Sequence, residues 1–126
     1  MPPDPRRQRR GLVADRRGRD AEALARDALV RDGWTVLAER HRTPAGELDL
    51  VAEKEGLLAF VEVKARPSLE EAAFALTGRQ QRRLMEAAEI WLVGHPGHGQ
   101  AGMRFDVLLV AADGSVKRVV DALRQG

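Results

Sequence analysis

The chain has 126 residues, 44% of them hydrophobic and 32% charged, the composition of one globular domain and not of a wholly disordered polymer. No apolar run reaches the roughly 20 residues of a membrane-spanning helix, and the basic N-terminus lacks the apolar core of a secretory signal, so a cytoplasmic location is expected. Cysteine is absent, which removes disulfides, thiolate zinc sites and cysteine nucleophiles. Net charge is only +2, but residues 1–19 carry seven arginines, Arg10, Arg16 and Arg17 among them, against two aspartates. Residues 1–17 therefore read as a flexible basic arm, and 18–126 as a single domain. Charge alone suits the arm equally to phosphate binding and to solubilisation.

The first periodic segment, residues 18–32, places Ala21, Leu24, Ala25, Ala28 and Leu29 at helical spacing and ends at Asp32-Gly33. Residues 34–38 read as a strand running into a polar stretch, 39–45. Two short runs, 46–52 and 57–64, flank a Gly-containing connection and predict a β-hairpin. Residues 69–76 suggest a short helix or an ordered loop. A stronger helix follows over 80–93, with Leu84, Ala87, Ala88, Trp91 and Leu92 along one stripe. Residues 94–102 hold four glycines and a proline and must be a loop. The apolar run 104–112 reads as a buried strand, Asp113-Gly114 as a turn, and 115–120 as a last strand. The order α-β-β-β-α-β-β describes an α/β fold, a sheet with helices packed on it.

The hairpin carries the chemistry. Alternation puts Leu48, Leu50 and Ala52 on one face with Ala59, Val61 and Val63, an apolar surface for a helix. The other face is apolar near the turn and ionisable at the open end, with Glu47, Asp49, Glu62 and Lys64. A two-residue turn at Glu55-Gly56 sets Asp49 opposite Glu62. A four-residue turn sets Glu47 there and Asp49 on the diagonal, so both registers gather the same four groups. Three facing carboxylates with one lysine leave negative charge suited to a hard cation such as Mg²⁺, and such a set fits metal-dependent phosphodiester hydrolysis. A Glu-Val-Lys strand end is also what an ordinary surface ion pair looks like, and the pattern alone favours that bland reading. Partial burial implied by the apolar neighbours raises the functional one.

Elsewhere the signals are weaker. His95 and His98 lack a nearby acidic residue or cysteine in the sequence to complete a ligand set and suggest a structural loop. His41 precedes the acidic strand and is a candidate by position only. Asp106 in its apolar strand reads as a structural partner of Arg104. No serine-hydrolase arrangement or phosphate-binding glycine loop is present in the sequence.

The segment GELDLVAEKEGLLAFVEVKAR, with Glu22 on the preceding helix and Arg104-Phe105-Asp106-Val107 after it, resembles the YraN family of uncharacterised, endonuclease-like bacterial proteins. The resemblance spans about Gly18 to Val120. It implies the PD-(D/E)XK nuclease superfamily, a restriction-endonuclease-like central mixed β-sheet flanked by helices, similar to archaeal Holliday-junction resolvases. It further implies Asp49 and Glu62 as ligands of Mg²⁺ or Mn²⁺, Lys64 as the catalytic lysine and Glu22 as the outlying carboxylate. Glu47 and Gln80 are accessory candidates. Three regions depart from the family pattern: Ala21 for Gly, Arg40-His41 for an Asn-aromatic pair, and Gln80 for Lys. The implied activity is DNA cleavage, on branched or single-stranded DNA, with Arg79, Arg82, Arg83 and the basic arm on phosphates. A homodimer is implied by the paired action of related resolvases. The alternative is a non-catalytic nucleic-acid-binding or scaffold module on the same fold. Two tryptophans, three phenylalanines and no tyrosine offer little for base stacking.

Overall fold

A computed structural model describes residues 20–68 and 76–123. The basic arm, including Arg10, Arg16 and Arg17, and most of the segment 69–76 lie outside the described residues.

Helix α1 covers residues 20–31. Ala21, Ala25 and Leu29 recur every fourth residue and are its buried stripe. Its end is a Schellman motif: the Gly33 N–H donates to Val30 O at 3.0 Å and the Trp34 N–H to Leu29 O at 3.0 Å, with Gly33 at φ 89°. The chain leaves it as β1 (Thr35–Thr43), then forms β2 (Gly46–Lys54) and β3 (Leu57–Arg66). Helix α2 (Gly78–Gly94) begins with a reciprocal capping box between Thr77 and Gln80. β4 (Gly102–Ala111) and β5 (Val116–Val119) complete a five-stranded sheet in the order β1-β2-β3-β4-β5. Among the described residues only β3 and β4 pair in parallel, joined by the crossover through α2, so the sheet is mixed and flanked by helices, as expected.

Two cores follow from strand alternation. Leu50, Ala52, Ala59, Val61, Leu108 and Val110 pack under α1 with Trp34. Val51, Leu58, Phe60, Phe105, Val107 and Leu109 pack under Leu84, Ala87, Ala88 and Trp91 of α2. Phe60 is the centre of the second core, edge-on to Trp91 and stacked on Phe105.

The hairpin takes the two-residue turn. Lys54 pairs with Leu57, and Glu55 (φ 52°) and Gly56 (φ 81°) both adopt the left-handed conformation of a type I′ turn. The ladder runs back to Leu50↔Val61, a register that would set Asp49 opposite Glu62 if it continued.

Two expectations need correction. The first strand does not stop at residue 38, because the polar run to Thr43 pairs with β2. It is an edge strand, where one side faces solvent and polar residues are tolerated. Leu48 does not share a face with Leu50: it packs in the α2-side core while Leu50 packs under α1. The alternation breaks beside Arg40, which stands between the pairs Glu39↔Leu50 and His41↔Leu48 with φ 47°. A second irregularity, the unpaired Leu37, lies earlier in the same strand.

Candidate metal centre

Beyond Leu50↔Val61, β2 and β3 part. In a regular antiparallel ladder the Val63 N–H would next meet the Leu48 carbonyl. It donates instead to Asp49 Oδ2 at 2.9 Å, so a side chain occupies the place of a main-chain acceptor. The divergence sets the Asp49 carboxylate between the strands. Glu22 from α1 and Glu47 from the start of β2 reach the same place, and one oxygen from each of Glu22, Glu47 and Asp49 lies within 4.8 Å of the others.

Glu62 takes a different partner. Its side chain is only 9% exposed and Oε1 lies 3.0 Å from Lys64 Nζ. It is nevertheless the charge that acts most strongly on Asp49. Burial first, then the Glu62 carboxylate, push the Asp49 pKa up to about 6; Glu22 and Glu47 add to the rise, and the Val63 N–H opposes it. Glu22, Glu47, Asp49 and Glu62 thus share one electrostatic site.

The sequence-derived set is divided by this geometry. Glu22, Glu47 and Asp49 form the tight trio, while Glu62 and Lys64 form an adjacent ion pair. Gln80 is committed to capping: its Oε1 accepts from the Thr77 N–H at 2.9 Å. Arg79, Arg82 and Arg83 are exposed along the first turns of α2. Arg83 lies against Gly46, the residue preceding Glu47, where an added Cβ would sit 2.9 Å from its Cδ.

Two cations escaped the reading of the sequence as site residues. Arg40 Nε lies 2.5 Å from Glu22 Oε2, and Arg42 Nε lies 3.9 Å from Glu47 Oε2. No local pattern marks them, because their partners are 18 and 5 positions away and meet them only through the fold. With Lys64 they set three positive charges against four carboxylates. An all-oxygen donor set with residual negative charge fits a hard divalent cation such as Mg²⁺ or Mn²⁺.

The other candidates are structural. His95 stacks on Trp91 at 4.1 Å and its Nδ1 meets Trp91 O at 2.7 Å. His98 has an acidic partner after all: Glu53, 45 positions away, lies 3.1 Å from its Nδ1 and also accepts the Gly99 N–H. His41 meets His95 edge-on at 6.1 Å. Asp106, fully buried, binds Arg104 as expected, and Arg118 and the Asp121 N–H as well. Both guanidiniums lie over Trp34, at 5.2 and 4.9 Å from its ring centre, and lock the sheet end opposite the acidic residues.

Fold and site together define an α/β protein whose mixed sheet opens at one end onto a cluster of carboxylates edged by lysine and arginine. The chain belongs to the uncharacterised protein family UPF0102, whose family model matches residues 21–110, in keeping with the YraN resemblance. It is 53% identical over 115 residues to a UPF0102 protein of Granulibacter bethesdensis, covering 91% of this chain and 73% of that one. A Bradyrhizobium relative is 54% identical over 100 residues (79% and 71%), and a Rhodopseudomonas palustris relative 50% identical over 110 (87% and 82%).

Proposed function

We propose that this chain is a metal-dependent DNA endonuclease of the PD-(D/E)XK type. One observation carries the reading: carboxylates from α1 and β2 converge within 4.8 Å beside the buried Glu62–Lys64 pair. Glu22, Glu47, Asp49 and Glu62 are the groups that would hold Mg²⁺ or Mn²⁺. When bound, such an ion supplies Lewis-acid polarisation of a phosphodiester.

The chain's own residues do the rest. The Val63 N–H fixes Asp49, whose raised pKa reflects its burial and then the carboxylates around it. Lys64, held by Glu62, would orient the attacking water or meet charge developing on the phosphate. Arg79, Arg82, Arg83 and the basic arm supply non-specific phosphate contacts, so DNA affinity falls steeply with salt. The substrate class is branched or single-stranded DNA in the cytoplasm, met by a homodimer.

The test is cleavage of labelled linear duplex, single strand, flap and four-way junction with Mg²⁺ or Mn²⁺, beside Glu62→Ala and Lys64→Ala proteins. Metal-dependent cutting by the wild type, lost in both variants, supports the proposal. DNA binding without cutting, equal in wild type and variants, would replace it with a non-catalytic binding module.

A further inference from the structure

Glu22 is paired with a guanidinium. Arg40 Nε lies 2.5 Å from Glu22 Oε2, so one member of the carboxylate trio already has a cation of the protein's own. The backbone brings it there. Arg40 stands between the pairs Glu39↔Leu50 and His41↔Leu48 with φ 47°, a left-handed conformation that non-glycine residues seldom adopt. Its side chain is 46% exposed.

A neighbouring pair provides the contrast. Arg26 Nη1 meets Glu39 Oε1 at 3.2 Å, so α1 contributes Glu22 and Arg26, one helical turn apart, and β1 contributes Arg40 and Glu39. The two crossed pairs line one cavity of about 210 Å³ with Ala23 and Leu50, and both tie α1 to the edge strand. Only the Arg40 pair involves a carboxylate of the trio.

Resting on the metal-centre reading, we propose that Arg40 is a displaceable counter-ion: it holds Glu22 in the bare protein, yields it to an entering divalent cation, and then offers its guanidinium to a substrate phosphate. Arg40 and the cation compete for one carboxylate, so each weakens the other's binding by the same factor. A guanidinium freed beside a cation is itself repelled by it and suits a phosphate, which it can grip with two parallel N–H donors. Cation and phosphate then reinforce each other through a residue that neither has to share.

The experiment is Mn²⁺ binding by the full chain, read by the loss of free-ion paramagnetic resonance, with and without dimethyl phosphate. Wild type is compared with Arg40→Gln, Arg26→Gln, Glu22→Gln and the Glu22→Gln/Arg40→Gln double variant. The expected result is Mn²⁺ affinity about 5- to 150-fold tighter in Arg40→Gln, the range of a typical coupling between sites. Arg26→Gln stays at the wild-type value, and Arg40→Gln tightens Mn²⁺ binding far less in the Glu22→Gln background than in the wild type. Dimethyl phosphate tightens Mn²⁺ binding to wild type but not to Arg40→Gln. If wild type binds Mn²⁺ and Arg40→Gln binds it no more tightly, Arg40 is only a strap for α1 and the proposal falls. If dimethyl phosphate acts alike on both, the phosphate role falls. If no protein binds Mn²⁺, the metal-centre reading fails and takes this one with it.

Discussion

Replacing Asp49 with Asn should stabilise the bare protein, and the gain should depend on pH. Asp49 is half-buried and faces three other carboxylates, so its pKa rises from 3.8 to about 6 in the fold. A raised acid pKa means that the folded state prefers the protonated form. Below the unfolded value both states are protonated and nothing is lost. As pH climbs from about 4 to 6, the unfolded chain ionises first and the fold loses stability, and above about 6 the penalty is complete. A shift of about 2 units corresponds to ~3 kcal/mol at pH 8, falling to ~0.5 kcal/mol near pH 4. Asn removes the charge, and its Oδ1 keeps an acceptor for the Val63 N–H that Asp49 binds at 2.9 Å. Urea unfolding of wild type and Asp49→Asn should therefore give midpoints that diverge from pH 4 to 7 and then run parallel, with the variant the more stable. A difference that stays flat with pH, or an Asn variant less stable at pH 8, would refute the electrostatic reasoning.

Other substitutions read out neighbouring parts of the molecule. Lys64→Ala leaves the buried Glu62 carboxylate without its 3.0 Å partner and should cost about 3 kcal/mol in urea unfolding; adding Glu62→Gln should restore most of it. Asp106→Asn removes the anion shared by Arg104 and Arg118 and should cost about 3 kcal/mol or more, with a changed near-ultraviolet dichroism from Trp34 beneath them. Glu53→Ala should speed amide exchange at Gly99, whose N–H the carboxylate accepts at 2.9 Å. That same N–H, and then His98, hold the Glu53 pKa below its ordinary 4.5, so the stability it contributes is present above pH 4.5 and lost as pH falls through the lowered value. A wild-type advantage over Glu53→Ala that persists unchanged into strong acid would contradict this.

Much of this architecture could be read from the chain because local rules and tertiary packing agree. The Ala21, Ala25, Leu29 stripe and Gly33 mark α1 and its end, and Glu55-Gly56 supplies the left-handed residues that the hairpin turn requires. Where sequence reasoning failed, the cause was an irregular backbone. Strict alternation put Leu48 with Leu50, but the break around Arg40 and Asp49 sends them to opposite cores. The same break lets Asp49 leave the pleat and accept the Val63 N–H. The polar run after Ala38 concealed the rest of an edge strand, since its pairing involves main-chain groups that composition does not register. Arg40 and Arg42 went unread as site residues for a related reason: an ion pair between distant segments leaves no spacing in the sequence.

The claim at the centre of this account is that the parted end of β2 and β3 is a divalent-metal centre. Anomalous diffraction from crystals grown or soaked with millimolar Mn²⁺ tests it most directly. The account predicts a Mn²⁺ peak among the carboxylates of Glu22, Glu47 and Asp49, beside Glu62, with Arg40 turned away from Glu22. Mn²⁺ absent from these carboxylates, with Arg40 still on Glu22, would contradict it.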